Sequence, residues 1–375
     1  MKTPTLNSRL AIIDGLRGLA AVGVVLFHTR LNRLFWMWSF VDLFFVISGF
    51  LITSILIYQC QGRFQALKNF YIRRALRIWP LYYLTLLYCL GYALATQAGA
   101  GLVWPYASFR SFFFLQFIDF YWADLADVGI RWSQYIPMFG PSWSLAVEEQ
   151  FYLLWPFVVF ALRRRPAVLA GICSTWVLAS VVLGMLKLPY ILMMTRADGL
   201  ALGALLALVI RADGVPALSV SANLLRRSLL AALVIGALIV AYYMGLGYLQ
   251  PQADRYQHMV NEFTLAPVIF GYSLFFASFL GLMLMHGLSG GHSKLLRSLA
   301  SRPLVYLGSV SYALYLFHQP VFSTIYTRAV LPAPVRELLS WVLLFALAEC
   351  SRRWLEARFH RAKHNYPIEA ARSKA

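Results

Sequence analysis

Long apolar runs separated by short polar loops dominate the chain. Ten of them read as membrane spans: 10–28, 38–58, 76–96, 143–162, 167–186, 194–210, 228–249, 264–286, 303–326 and 335–351. About 20 apolar residues are what a helix needs to cross the hydrocarbon core of a bilayer. The pattern therefore predicts an all-α integral membrane protein, a bundle of about ten transmembrane helices. Residues 1–358 form the transmembrane part, and 359–375 form a basic tail lying loosely on the anionic inner leaflet. No internal repeat and no low-complexity tract interrupts this pattern.

The first run departs from a plain span. It reads AIIDGLRGLAAVGVVLFH and carries Asp14, Arg17 and His28. Each ionisable group at bilayer depth costs roughly 2.5–3.5 kcal/mol on insertion scales. Eleven residues separate Arg17 from His28, which is three helical turns plus about 20°, so both lie on one stripe roughly 16 Å apart. Small residues between them (Gly15, Gly18, Ala20, Ala21, Gly23) let neighbouring helices come close. The stripe reads as the lining of a polar passage inside the bundle. The competing reading is a polar residue near each end, snorkelling to water.

Composition and charge agree with the membrane reading. The chain is 60% hydrophobic and 13% charged, with mean hydropathy +0.66. Net charge is +18, but the cations sit in short loops, so nucleic acid is not the expected partner. With the amino terminus inside, inner segments hold 23 Lys and Arg, outer segments hold 8, and Arg17 and Arg196 lie within spans. That bias puts both termini in the cytoplasm. Cys60, Cys89, Cys173 and Cys350 show neither a disulfide framework nor metal spacing, and no metal is expected. The first run lacks a cleavage pattern, so no removable signal is expected. The connection 97–142, rich in Tyr, Phe and Trp, suits an outer segment lying in the interface.

With that topology, five spans bring ionisable groups to the outer side. They are His28; Asp42; Glu148 and Glu149 with Tyr152; Arg196 with Asp198; and Tyr315 with His318. Each has a plain alternative. Arg196 and Asp198 can pair to hold their span, Asp42 can cap a helix, and His318 before Pro320 can be a packed helix-end histidine. Two adjacent carboxylates are harder to explain structurally, because they repel. A neutral histidine is a suitable base for a hydroxyl near pH 7. Asp42 or Glu148 would fix its tautomer, and Arg17 would hold an anionic or carbonyl group from the inner side. There is no nucleophile elbow, zinc motif or phosphate-binding glycine loop. Ser48 reads as a small residue at a helix contact sooner than as a nucleophile. On the inner side, Arg73, Arg74 and Arg77 lie within five residues. The positive-inside rule accounts for such clusters; the sharper reading is a phosphate grip for an acyl-coenzyme A.

Together these stretches resemble the membrane-bound acyltransferase 3 family. The resemblance rests on DGLRGLAAVGVVLFH, FFVISGFL (44–51), RRALRIWPLYY (73–83), WSLAVEEQFYLLWP (143–156), RADGLALG (196–203) and SYALYLFH (311–318), in the family's order. It implies about ten helices and transfer of an acyl group, often acetyl, from cytoplasmic acyl-coenzyme A to a hydroxyl. Acceptors in the family include cell-surface polysaccharides, O-antigen, peptidoglycan and, in some members, macrolides. It also implies that Arg17 and His28 form the Arg–His motif, Arg74 and Arg77 the Arg-x-x-Arg motif, and Glu148 and Glu149 the Glu–Glu pair. No hydrolase-like domain follows the last span, which suggests a stand-alone enzyme. The resulting expectation is a multi-pass O-acyltransferase of a bacterial plasma membrane. His28 would act as general base, acyl-coenzyme A would be the donor substrate, a glycan hydroxyl the acceptor, and no cofactor would be bound. A transporter of a glycan, lipid or anion is the alternative of another class; a scaffold for envelope synthesis is weaker still.

Overall fold

The computed structural model describes residues 6–29, 35–60, 64–96, 111–115, 138–186, 188, 192–210, 221–248, 262–288 and 293–368. Most of the outer connection 97–142 lies outside them. So do the loop cations Arg30, Arg33, Arg63, Arg110, Arg131, Lys187, Arg211 and Arg255, and the tail beyond Ile368. Among the described residues every regular element is helical. The main helices are α1 (Leu6–His28), α2 (Phe40–Ser54), α3 (Phe64–Thr96), α4 (Trp143–Leu162), α5 (Pro166–Met185), α6 (Asp198–Val209), α7 (Ala222–Tyr248), α8 (Glu262–Leu288), α9 (Arg302–Arg328), α10 (Ala333–Cys350) and α11 (Ala357–Ala362).

Each of the ten apolar runs overlaps one of α1–α10. Seven helical stretches are long and apolar enough to cross a membrane: Ala11–His28, Trp36–Cys60, Phe64–Ala95, Gly140–Leu162, Pro166–Met185, Ala222–Tyr243 and Ala266–His286. Asp198–Val209 is apolar but shorter. Helices α9 and α10 are long enough but carry more polar side chains, among them Tyr312, His318, Gln319, Arg336 and Glu337. Length and composition thus support seven crossings directly.

The helices fall into two compact units. The first holds Met1–Ala20, Ser39–Gln59 and Gln150–Gly308. The second holds Ala21–Trp38, Cys60–Glu149 and Ser309–Ala375. In the first unit small residues set how closely helices cross. A Cβ at Gly203 of α6 would overlap the Val46 carbonyl of α2, and one at Gly49 of α2 would overlap the Leu200 carbonyl of α6. The same device joins α1 to the start of α9. A Cβ at Gly18 would lie 2.7 Å from the Leu304 carbonyl oxygen and from the Gly308 amide nitrogen. Such approach replaces side-chain interdigitation with backbone contact, the usual glue where lipid removes the hydrophobic drive for helix pairing. Trp155 of α4 is buried beside Phe151 and Trp176, and its indole donates to the Thr53 hydroxyl at 2.8 Å. Leu224, Leu230, Val234, Ile235, Leu238 and Tyr242 leave α7 with an exposed apolar face, as a lipid-facing helix requires.

In the second unit α3 is the long element. Its 33 residues rise roughly 50 Å, more than the hydrocarbon core, so its basic first turns extend beyond the apolar layer. Its later turns are zipped to α9 by tyrosines: Tyr88 to Thr324 at 2.8 Å and Tyr92 to Thr327 at 3.1 Å. Tyr82 stacks on Phe114 and donates to the Ser111 carbonyl at 2.8 Å. Past α10 the chain widens into a π-helical turn, Ser351–Glu356, then runs as α11 and a 3-10 turn, Lys363–Asn365. This end packs back on α3, with Asn69 donating to the Pro367 carbonyl at 2.8 Å. Residues 359–368 are therefore docked structure, unlike the loose tail that their charge and breakers suggested.

The crossing at Gly18 gives a first prediction. Gly18→Ala should destabilise the purified protein by about 1–3 kcal/mol, because backbone rather than a flexible side chain must yield. Gly91→Ala, where no atom lies within 4 Å, should be neutral or slightly stabilising. Thermal melting of the two variants in detergent reads the difference.

Candidate active site

The polar side chains of the second unit are strung along α9. Tyr312, Tyr315 and His318 follow each other at intervals of three residues, about 4.5 Å of rise per step. At the lower step the Tyr312 hydroxyl donates to the Ile78 carbonyl of α3 at 2.8 Å. At the middle step Tyr315 donates to the Pro141 carbonyl at 2.8 Å and lies 2.5 Å from the Ser144 hydroxyl. At the upper step the His318 ring sits 4.8 Å from that of His28, tilted by 53°.

The two histidines have defined faces. His28 closes α1, where the Thr29 hydroxyl caps the Leu26 carbonyl at 2.8 Å. Nδ1 of His28 lies 2.9 Å from the Val24 carbonyl oxygen. A carbonyl can only accept, so in the neutral imidazole Nδ1 carries the proton and Nε2 keeps the lone pair. His318 is held alike: Nδ1 donates to the Tyr315 carbonyl at 2.6 Å, and its buried Nε2 has no hydrogen-bond partner among the described residues. His28 is exposed, whereas His318 is 1% exposed. The sequence had offered Asp42 or Glu148 to orient His28; the group at its Nδ1 is instead a backbone carbonyl of its own helix.

The acidic pair lies in the same unit, beside α3. Trp79 of α3 donates to the Glu149 carboxylate at 3.4 Å, and Arg74 and Glu148 are its charged neighbours. Tyr312 also feels both carboxylates. Sequence position had set Glu148 and Glu149 at the outer mouth with His28, but Glu149 shares its surroundings with the basic turns of α3. Nearby, the Arg74 guanidinium lies over the Phe70 ring at 5.8 Å, and Arg73 donates to the Tyr366 carbonyl at 3.4 Å. The unit thus holds, in order along α3 and α9, a basic mouth with Arg73, Arg74 and Arg77, an acid–tyrosine level, a serine–tyrosine level and a histidine pair.

The remaining candidates lie in the first unit. Arg17 is 3.9 Å from Asp14, one turn away on α1. Arg196 is paired with Asp42 at 2.8 Å, their side chains 1% and 0% exposed. Asp198, equally buried, interacts with the same guanidinium, which also lies over the Phe45 ring at 5.4 Å. This cluster links α2 to the turn before α6; the ion pair of Arg196 is made with Asp42 rather than with Asp198, the partner read from the sequence. Tyr152 is buried against Phe151. The structure adds Tyr312 and Trp79, neither of which the sequence singled out as a site residue, to these candidates. Tyr312 stands one turn before Tyr315 on the same flank, a spacing that exposes it once α9 is recognised as polar-lined.

The second unit thus carries a histidine pair at one end of a row of polar side chains and a cluster of arginines at the other. Residues 10–348 match the model of the acyltransferase 3 family, described as an acyltransferase domain, and the chain belongs to that family. It is similar to peptidoglycan O-acetyltransferase OatA of Listeria monocytogenes, with 30% identity over 95% of this chain and 57% of the relative. It is similar to O-acetyltransferase OatA of Staphylococcus aureus, with 26% identity over 92% of this chain and 56% of the relative. Putative peptidoglycan O-acetyltransferase YrhL of Bacillus subtilis matches at 29% identity, covering 92% and 54%. The chain therefore spans a little over half the length of these relatives. No solved structure matches it.

The Arg196 cluster supplies the second prediction. Arg196→Met leaves Asp42 and Asp198 buried without their cation and should cost about 3–5 kcal/mol of stability. The loss should appear as a lowered melting temperature and poor recovery of monodisperse protein.

Proposed function

We propose that the protein is an integral-membrane O-acetyltransferase that moves an acetyl group from cytoplasmic acetyl-coenzyme A to a hydroxyl of a cell-wall glycan. The basic mouth of α3 and both termini face the cytoplasm, and the His28 end faces the outside of a bacterial plasma membrane. Arg73, Arg74 and Arg77 hold the donor's phosphates. His28 Nε2 takes the proton of the acceptor hydroxyl as its oxygen attacks the thioester carbonyl. The carbon–sulfur bond breaks, and coenzyme A leaves as the thiolate, which is then protonated. The observation that carries this reading is the fixed tautomer of His28: a backbone carbonyl holds Nδ1, leaving Nε2 as an acceptor at an exposed helix end. A base acting on a hydroxyl needs that lone pair, and its orientation costs no reorganisation during the reaction. The similarity to proteins named peptidoglycan O-acetyltransferases supports a peptidoglycan hydroxyl as acceptor, and the 23-to-8 distribution of Lys and Arg supports the orientation.

Membranes containing His28→Ala, supplied with labelled acetyl-coenzyme A and a glycan acceptor, should transfer label about 10²–10⁴-fold more slowly than wild type. Unchanged labelling would remove His28 from the chemistry. Transport of acceptor with no release of coenzyme A thiol would favour a carrier instead. Arg74→Ala and Arg77→Ala should each raise KM for the donor about tenfold, since each removes a charge-assisted contact to phosphate.

A further inference from the structure

The docked carboxyl-terminal segment brings a second set of basic groups to the arginines of α3. Two hydrogen bonds fix its position: Asn69 to the Pro367 carbonyl at 2.8 Å and Arg73 to the Tyr366 carbonyl at 3.4 Å. The π-helical turn Ser351–Glu356 re-aims the chain before α11 begins. As a result Lys363 interacts electrostatically with Arg77, Arg73 and Arg74 across from it, and His360 with Arg73 and Arg77. His360 and His364 lie ring to ring at 5.9 Å. Glu356, which accepts from Ser351 at 3.0 Å, is the acid that faces Arg77 and Lys363. Lys363 thus faces three arginines of the other element, with Glu356 beside Lys363, Arg77 and Arg352, and with Glu149 beside Arg74.

We propose that Lys363, carried by the carboxyl-terminal segment, completes the donor site by binding a phosphate of the coenzyme A nucleotide opposite Arg74 and Arg77. The inference rests on the donor reading above and extends it to a part of the chain that the arginine motif does not include. Like charges brought together in a half-buried place repel, and a polyanion relieves that repulsion. The free protein bears the mark of this repulsion. Burial, then Arg77, Arg73 and Arg74, lower the Lys363 ammonium to about 8, with Glu356 opposing. His360 is held below its ordinary value by burial and by Lys363, so it can donate a hydrogen bond without adding charge. A phosphate seated between the two elements favours the charged lysine. A phosphomonoester is already doubly ionised above about pH 7, so the ligand itself does not titrate in the range where Lys363 does.

The test is equilibrium binding of a non-hydrolysable thioether analogue of acetyl-coenzyme A to the full-length protein in nanodiscs. Lys363→Gln should weaken binding about tenfold at pH 7 and Lys363→Arg should restore it. Between pH 7 and 9.5 wild-type affinity should fall as the ammonium deprotonates, whereas Lys363→Arg should stay flat. Removing the 3′-phosphate from the analogue identifies the partner: the Lys363→Gln defect vanishes on the dephospho analogue if Lys363 holds the 3′-phosphate and persists if it holds the diphosphate, and either result supports the proposal. Binding that Arg74→Ala weakens but Lys363→Gln leaves intact would overturn this inference and spare the donor reading. No binding by wild type would overturn both. The measurement is repeated in purely zwitterionic lipid and with added phosphatidylglycerol. If the Lys363→Gln defect appears only with the anionic lipid, the lysine serves the membrane and the proposal fails.

Discussion

An ionised side chain among apolar helices costs several kcal/mol unless a partner is built beside it, and this chain meets that demand differently in its two units. In the first unit the answer is closure. Arg196 is enclosed by Asp42, Asp198 and the Phe45 ring, and the cluster ties α2 to the turn before α6. In the second unit polar groups form an open-ended row. His28 is exposed, His318 keeps an unpartnered Nε2, and the arginines of α3 meet a lysine rather than an excess of acid. Closed pairing is what a structural ion pair needs.

The helix packing follows the same constraint. Because lipid is as apolar as leucine, helices adhere where their backbones can touch. The glycines at 18, 49 and 203 permit this, and each would clash with a neighbouring backbone if it bore a side chain. Close crossings hold α1 and α9 firmly, and these two helices carry His28 and His318. The tyrosine zipper between α3 and α9 plays the corresponding part for the row below.

The candidate residues differ in what holds them. The imidazole is tied at Nδ1 by a carbonyl of its own helix, so no carboxylate is required to select its tautomer. Glu149 sits instead with Trp79 and Arg74, where a carboxylate tempers the charge of the basic mouth. Family relatives named as peptidoglycan O-acetyltransferases are longer than this chain, which matches the family over residues 10–348.

How much was legible without coordinates follows from the range of each interaction. Helix positions were readable because hydrophobic runs and their lengths are local properties; every apolar run became a helix. Spacing within one helix, such as Arg74 to Arg77 on α3, was readable because a helix fixes angles between residues a few turns apart; the pairing of Arg196 with Asp42 of α2 was not. What the sequence could not express was depth and partnership across helices. Residue number suggested that Glu149 opened an outer mouth, but the register between α3 and α4 sets it beside Trp79. Charge suggested a loose tail, but two hydrogen bonds from α3 to backbone carbonyls dock it and deliver Lys363 to the arginines. Local sequence determined which groups exist and which face of a helix bears them. Only the tertiary structure decided which groups meet, because close helix crossings, backbone carbonyls and a π-helical turn leave no simple periodic trace in the amino-acid sequence.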